Sequence, residues 1–595
     1  MSRNEEVAGL LEEFADLLEA RDVEYKPRAY RRAAENVRAY PAAVEGLADD
    51  GVEGVRRVEG VGEAIAEKIV EYVETGEIAE LEQLREELPV DMEALTRVEG
   101  VGPKTVGTLY DALGITTLDE LEEAARDGEI REVSGFGEKT EQNILENVQF
   151  AKEASERALL GEARPYGDRV REYLAGVDAV AAVELAGSIR RWRETIGDVD
   201  VLVATEDGEA VVDALLEWDV ADDVIESGPT KASVRADGFR IDLRVVVPEE
   251  FGAALQYFTG SKEHNISLRN LAIERDRKIN EYGVFRAAQS ASGSRTQSDD
   301  DVSDVADPDA GQRVGERVAG ETEEGVYAAL DLEWMPPELR EDRGELDAAA
   351  SGDLPDLLEE GEIRGDLHTH TKWSDGNNTI REMAEGAASF GYDYLGISDH
   401  ATGPGMVGGV GLSDDELREE LEEIRAVDEA VGIDLFAGVE ANISADGEIS
   451  VGDDLLADLD CVVASPHSGL DGDGTDRIIA AIEHPHVDVI GHPTGRLLNR
   501  RSGIDLDVSR VAEAAAEHGV ALEINSDPRR LDLEGGPVKT AVDAGATIAI
   551  DTDAHQPGTL SYVRYGVHTA RRGWAERDDV LNAWDVERVR EFLGL

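Results

Sequence analysis

The chain has 595 residues, with 58 basic side chains against 131 acidic ones, a formal net charge of −73 and a pI near 4.3. That length exceeds what one hydrophobic core usually supports, so several domains are expected, and a single cysteine excludes a disulfide framework and suits a reducing, cytoplasmic setting. The N-terminal stretch MSRNEEVAGLLEEF has no long apolar run, which speaks against secretion and membrane insertion, and so acidic a chain should repel polyanions at ordinary ionic strength.

That first stretch reads as an acidic amphipathic helix, and Tyr25–Ala33, with Lys26 and Tyr30, is the clearly basic segment near it. Three near-repeats follow: Val58-Glu59-Gly60-Val61-Gly62, Val98-Glu99-Gly100-Val101-Gly102 and Val133-Ser134-Gly135-Phe136-Gly137. Each has an apolar helix end, a hairpin with two glycines and a new amphipathic helix. Glycine lets the backbone approach a phosphate, and a helix start presents free N–H groups to it. One such repeat is equally well explained by helix capping; three in register predict a backbone grip on nucleic acid that reads no sequence.

Gly187-Ser188-Ile189-Arg190-Arg191 reads as a turn and helix start that could hold phosphates, and it leads into a strand with Asp198 and Asp200. Residues two apart on a strand share a face, and Asp242, in Phe239-Arg240-Ile241-Asp242-Leu243, offers a third carboxylate on another strand. Three strand-borne aspartates suit two-metal phosphoryl transfer. In so acidic a chain an acid pair is otherwise solvated surface; the Gly-Ser-x-Arg-Arg ahead of it favours the functional reading. With Gly228-Pro229-Thr230-Lys231 and Tyr257-Phe258-Thr259-Gly260-Ser261 added, the segment resembles the nucleotidyltransferase palm of family X DNA polymerases.

The resemblance implies two Mg2+ ions on Asp198, Asp200 and Asp242, with Asp242 taking the proton of the primer 3′-hydroxyl. It implies a triphosphate bound by Ser188 and Arg191 on a turn shaped by Gly187 and Arg190. Tyr257 and Phe258, in the turn with Gly260, would favour deoxyribose, Asn265 and Arg269 would touch the nascent pair and template, and Lys231 would face DNA. His264 stands where the best-known animal member carries an aromatic ring. The basic segment and first hairpin would form a small lyase domain, with Lys68 at the Schiff-base position and Lys26 and Tyr30 on a 5′-phosphate. The other reading of Lys68 is a solvated lysine paired with an acid; nearby glutamates would keep it protonated, against the neutral amine a Schiff base needs.

From Ala287 to about Ala310 apolar residues almost vanish, as in a disordered insertion; patterning resumes at Glu321–Tyr327, and Trp334–Arg340 reads as a join. Beyond it, strand and helix signals alternate, and a series of ligand-competent residues appears: His368, His370, Asp375, His400, Glu440, His467, His492, Asp553 and His555. More than half of the chain's eleven histidines fall in this set. Several end apolar runs, such as Tyr394–Ile397 before His400, and the C-terminal ends of buried parallel strands are where barrels place chemistry. HTHTKWSDG, SDH, GHPTGR and IDTDAH resemble the PHP (polymerase and histidinol phosphatase) superfamily. That implies a distorted βα barrel whose trinuclear centre, with those nine ligands, hydrolyses phosphoesters. Imidazole and carboxylate without thiolate suit two or three Mn2+ or Zn2+ ions. Cys461 reads as mid-strand core.

The expected architecture is multidomain: an all-α helix-hairpin-helix region (1–85 lyase-like, 86–152 fingers-like), an α+β palm (153–250), a thumb (251–340, with the insertion near 287–310) and a distorted α/β PHP barrel (341–595). The expected activity is gap-filling DNA synthesis in repair with PHP-catalysed 3′–5′ trimming, on gapped or primed DNA and dNTPs. Two other readings are a small-molecule phosphatase of histidinol-phosphatase type and a non-enzymatic DNA-binding scaffold. The acidic composition is reconciled with a DNA substrate by molar salt, where the Debye length falls to roughly 3 Å and the global field no longer reaches the ligand.

Overall fold

A computed structural model describes residues 3–595 apart from 24–25, 41–43, 49, 59, 99, 156, 287–312, 314 and 404–409. The expected insertion near 287–310 therefore lies outside the described residues, as do Tyr25, Glu59 and Glu99 of the motifs quoted above.

The N-terminal region is helical. Helix Arg3–Ala20 buries Val7, Leu11, Phe14 and Leu18, a spacing that keeps them on one face. It packs against Lys26–Ala39 and also against Pro103–Leu113, where Gly107 is required because a Cβ would stand 2.1 Å from the Ala20 carbonyl oxygen. The segments expected as 1–85 and 86–152 consequently share one continuous apolar cluster, from Val7 to Val148.

The palm is a five-stranded mixed sheet. Its parallel pair Val199–Ala204 and Phe239–Val246 is flanked by Ala182–Leu185 on one side and by Lys231–Ala236 and Asp223–Gly228 on the other. Val199, Val201 and Val203 fill the core, which turns Asp200 to the opposite face, directly across the ladder from Asp242. Asp198 sits in a bend just ahead of its strand, which corrects the expectation of three strand-borne aspartates to two. The thumb follows as helices Phe251–Thr259 and Lys262–Glu274, a hairpin of Arg277–Asn280 and Gly283–Arg286 extended by Arg317–Ala319, and helix Glu323–Ala328.

The C-terminal barrel has seven parallel strands in sequential order: Gly365–Asp366, Tyr394–Ile397, Asp434–Asn442, Cys461–Ser465, Val489–Ile490, Ala521–Asn525 and Ile548–Asp551. Its strands are buried almost throughout, as a sheet covered by helices outside and filled inside demands. First and last strands meet through a Thr369–Ala554 bridge, with the His370 N–H donating to the Ala554 carbonyl at 2.9 Å. The Leu367 N–H on Asp551 (2.7 Å) and the Thr552 hydroxyl on Asp366 (2.6 Å) close the seam below. The interior is packed by Leu367, Tyr394, Phe436, Val463 and Cys461, which opens its strand rather than sitting mid-strand, and Leu581 and Trp584 join the same cluster. Among the described residues no helix is long and apolar enough to cross a membrane.

Candidate active sites

In the palm, Gly187 opens the short helix Gly187–Arg190 at φ +61°, and a Cβ there would stand 2.0 Å from Asp200 Oδ2. Only glycine allows this approach of turn to carboxylate. Carboxylate oxygens of Asp198, Asp200 and Asp242 lie within 4.8 Å of one another. Burial, and then the charges of Asp198 and Asp242, push Asp200 up to about 7; burial and Asp242 raise Asp198. A pocket that holds protons this firmly is short of positive charge, and an all-oxygen donor set fits hard divalent cations. Asp242 is oriented by the Ser233 hydroxyl and by Arg240 Nε at 2.9 Å. Beside it, Lys231, Arg244 and Phe258 line the cavity, with the Arg244 guanidinium 4.3 Å from the Phe258 ring centroid.

Arg190 holds both carboxylate oxygens of Glu323 at 2.8 Å and the Thr259 hydroxyl at 2.8 Å, as a turn-shaping residue should. Arg191, expected on the triphosphate, is held by Glu341 at 2.8 Å and by the Thr259 carbonyl at 2.7 Å.

In the barrel the structure brings all nine expected ligands together at the C-terminal strand ends. Atoms of His370, Asp375, His400 and His555 form one cluster, His368, His370 and Asp553 a second, and His400, Glu440 and His467 a third, each within 4.8 Å. His492 Nε2 completes the set, 3.0 Å from Glu440 Oε1. Glu440 is fully buried at the centre, within 3.8 Å of His368, His370, His400, His467 and His492. Burial opposes its charge, but His400, His467 and His368 hold Glu440 well below the usual carboxylate range. Burial alone would lower His555, yet Asp375 and Asp553 lift it to about 9; burial and Arg530 drive His492 down to about 3. Buried His368 Nε2, His370 Nε2 and Glu440 Oε2 make no hydrogen bond, although each faces the cluster. Lone pairs left free in so dense a set of imidazoles and carboxylates fit divalent metal ions.

A helix-hairpin-helix family model matches residues 2–78, a SAM-like helix-hairpin-helix tandem 92–149, the DNA polymerase beta thumb 254–341 and the PHP domain 366–527. The chain is 35% identical over 596 residues to the DNA polymerase/3′-5′ exonuclease PolX of Bacillus subtilis (strain 168), covering 99% of each. The chain belongs to the family X DNA polymerases that carry a C-terminal PHP domain. Two further relatives match part of the chain. A protein described as a probable phosphatase of Thermoanaerobacter sp. (strain X514) is 30% identical over 38% of this chain and 93% of its own length. DNA polymerase lambda of Rattus norvegicus is 28% identical over 39% of this chain and 41% of its own length.

Several residues expected at substrate in this family X enzyme make contacts within the protein. Asn265 donates to the carbonyls of Tyr257 (2.8 Å) and Gly260 (3.2 Å), fixing the turn between the two thumb helices. His264 is fully buried, with Nδ1 2.6 Å from Glu345. Tyr30 is 6% exposed and its ring stacks on Phe14 with centroids 4.5 Å apart. Lys68 Nζ lies 2.7 Å from Glu80; burial would lower it, but Glu80 and Tyr30 hold the ammonium above its ordinary value. Lys26 and Arg269 are exposed, as are Gly60, Gly62, Gly100, Gly102, Gly135 and Gly137. Gly60, Gly100 and Gly135 have positive φ, and helices start directly after Gly62, Gly102 and Gly137.

Residues behind the ligands escaped the sequence reading. Glu523 accepts from His368 Nδ1 (2.6 Å) and from the His492 N–H, Asn442 meets His467 Nδ1 (2.8 Å), and Asn525 donates to Asp553 (3.1 Å). Asp399, adjacent to His400, gathers the Thr371 N–H and hydroxyl and the Ser374 hydroxyl, so it shapes the loop that bears Asp375. The one sequence signal was a charged residue inside the apolar strand Ala521–Asn525.

Proposed function

We propose that this family X polymerase fills short gaps in DNA at its palm and trims 3′ ends at its barrel. One observation carries the reading: two separate, complete metal-competent clusters stand in a chain related to a polymerase/exonuclease over nearly its full length. The exposed hairpin glycines and following helix starts offer backbone N–H groups to DNA phosphates without reading bases, which supports a DNA substrate.

Asp198, Asp200 and Asp242 would hold two Mg2+ ions, and the nine barrel residues two or three Mn2+ or Zn2+ ions. Bound there, such ions supply charge neutralisation for phosphoryl oxygens and acidify water. The palm residues orient the reactants: Ser188 and the helix start grip the triphosphate, Tyr257 and Phe258 border the sugar, and Asp242, steadied by Ser233 and Arg240, accepts the 3′-hydroxyl proton. In the barrel, burial of His368, His370 and Glu440 keeps bulk water from competing for their ligand positions.

Primer extension and 3′ trimming on one-nucleotide-gapped DNA, at high KCl, test both assignments. Asp200→Ala should lose extension and His370→Ala should lose trimming. Equal loss of both activities in each variant would refute separate sites. Because 38% of the chain is 30% identical to a protein described as a probable phosphatase, sugar and amino-alcohol phosphates belong in the same assay; a preference for them over DNA would favour the phosphatase reading.

A further inference from the structure

The residues that follow the turn carrying Ser188 and Arg191 pack against the barrel. The Arg193 N–H donates to the Ser188 carbonyl at 3.1 Å, so the turn and the residues after it form one unit. Trp192, in the left-handed region at φ 54° and 6% exposed, lies flat against the His568 ring of the barrel, with centroids 3.5 Å apart and planes 5° from parallel. The guanidinium groups of Arg164 and Arg564 lie 4.0 and 5.1 Å from the same indole. Two residues on, buried Glu194 pairs with buried Arg572 at 2.5 Å, while its carbonyl accepts from the Leu160 N–H at 2.9 Å. His568 and Arg572 stand four apart on helix Val563–Arg572 and so share a face. Leu531 and Tyr565 of the barrel complete the palm's own hydrophobic cluster.

A buried ion pair adds little net stability, but either partner alone is strongly unfavourable. Glu194 and Arg572 therefore fix the register of turn against barrel more than they glue the domains together. The stacked Trp192 fixes the angle, since a left-handed non-glycine residue persists only where its surroundings hold it.

We propose that barrel helix Val563–Arg572 positions the polymerase's triphosphate-binding turn, so that the PHP domain serves nucleotide addition as a fixed wall as well as hydrolysing 3′ ends. The proposal rests on the polymerase reading of Ser188 and Arg191. His568 and Arg572 are positioning residues: they act on the nucleotide through Trp192, Glu194 and the turn.

The test measures single-nucleotide insertion on gapped DNA and trimming of single-stranded DNA in the same preparations of the full chain. The variants are His568→Ala, His568→Phe, and the paired Glu194→Gln with Arg572→Met, which leaves no buried charge unpaired. A displaced turn raises the dNTP KM about tenfold in His568→Ala and in the paired variant, with kcat within about threefold and trimming within about twofold of the parent. His568→Phe loses the contacts to Glu338 and Glu360 but keeps the stack, and with Arg571 still 2.8 Å from Glu338 it brings KM back toward the parent value. Unchanged dNTP KM in both variants, or a parallel fall of insertion and trimming, would overturn the positioning role. A parent that trims but inserts no nucleotide would instead sink the polymerase reading itself, and the proposal with it.

Discussion

Glu523 and His368 meet at 2.6 Å inside the barrel, carboxylate oxygen to Nδ1, which leaves His368 Nε2 directed at Glu440 and Asp553. A partner on the far nitrogen sets tautomer and ring orientation, so Glu523 decides which nitrogen His368 offers a metal. Glu523→Gln cannot accept both from His368 and from the His492 N–H. Its metal affinity should drop about 10- to 100-fold, and trimming should recover with excess metal. Chelator challenge followed by metal analysis checks this; wild-type retention would rule it out.

Gly187→Ala puts a methyl group where Asp200 Oδ2 stands and adds the cost of a left-handed backbone. Because the clash falls on a catalytic carboxylate, DNA synthesis should drop at least about a hundredfold, a loss of about 3 kcal/mol of transition-state stabilisation, while trimming persists. Near-normal insertion kinetics would show that the turn can move aside.

Asp200 has a folded-state value of about 7 against an ordinary 3.8. A raised carboxyl favours the metal-free fold below its ordinary value, and that contribution disappears as pH climbs from about 4 through 7. A bound cation takes the proton's place. Half-saturating Mg2+ for primer extension should accordingly rise as pH falls below 7, by up to about tenfold per unit. A value constant between pH 6 and 8 would contradict the assignment of that proton to the metal site.

Glu80 holds Lys68 protonated, and a protonated amine forms no Schiff base. Glu80→Gln should therefore increase borohydride trapping on a 5′-deoxyribose phosphate end by severalfold if Lys68 is the nucleophile. No change in yield, with Lys68→Ala equally inert, would remove lyase chemistry from this residue.

With a net charge of −73, removal of KCl restores long-range repulsion both within the fold and toward DNA. Tm and primer extension should both climb as KCl is raised toward molar concentrations. Full activity in dilute buffer would refute a salt requirement.

The sequence by itself picked out the barrel histidines and carboxylates that the structure brings together, the three clustered palm aspartates and the glycine hairpins. Ligand chemistry admits few residue types and hairpin spacing is short-range, so His368-Thr369-His370 and the Gly-x-Gly repeats stand out locally. Asp198 slipped ahead of its strand and two helical segments merged into one core, because strand ends and helix packing depend on neighbours that local pattern does not name. Tertiary structure alone decided the rest. Glu523 is a lone charge in an apolar strand until His368 arrives from across the barrel, 155 residues away. The Arg191 guanidinium finds Glu341 150 residues on, and Glu194 is a buried anion paired with Arg572, 378 residues distant, beside neighbouring Arg193. A buried polar group must find its partner wherever the chain brings one, and no spacing in the sequence records that distance.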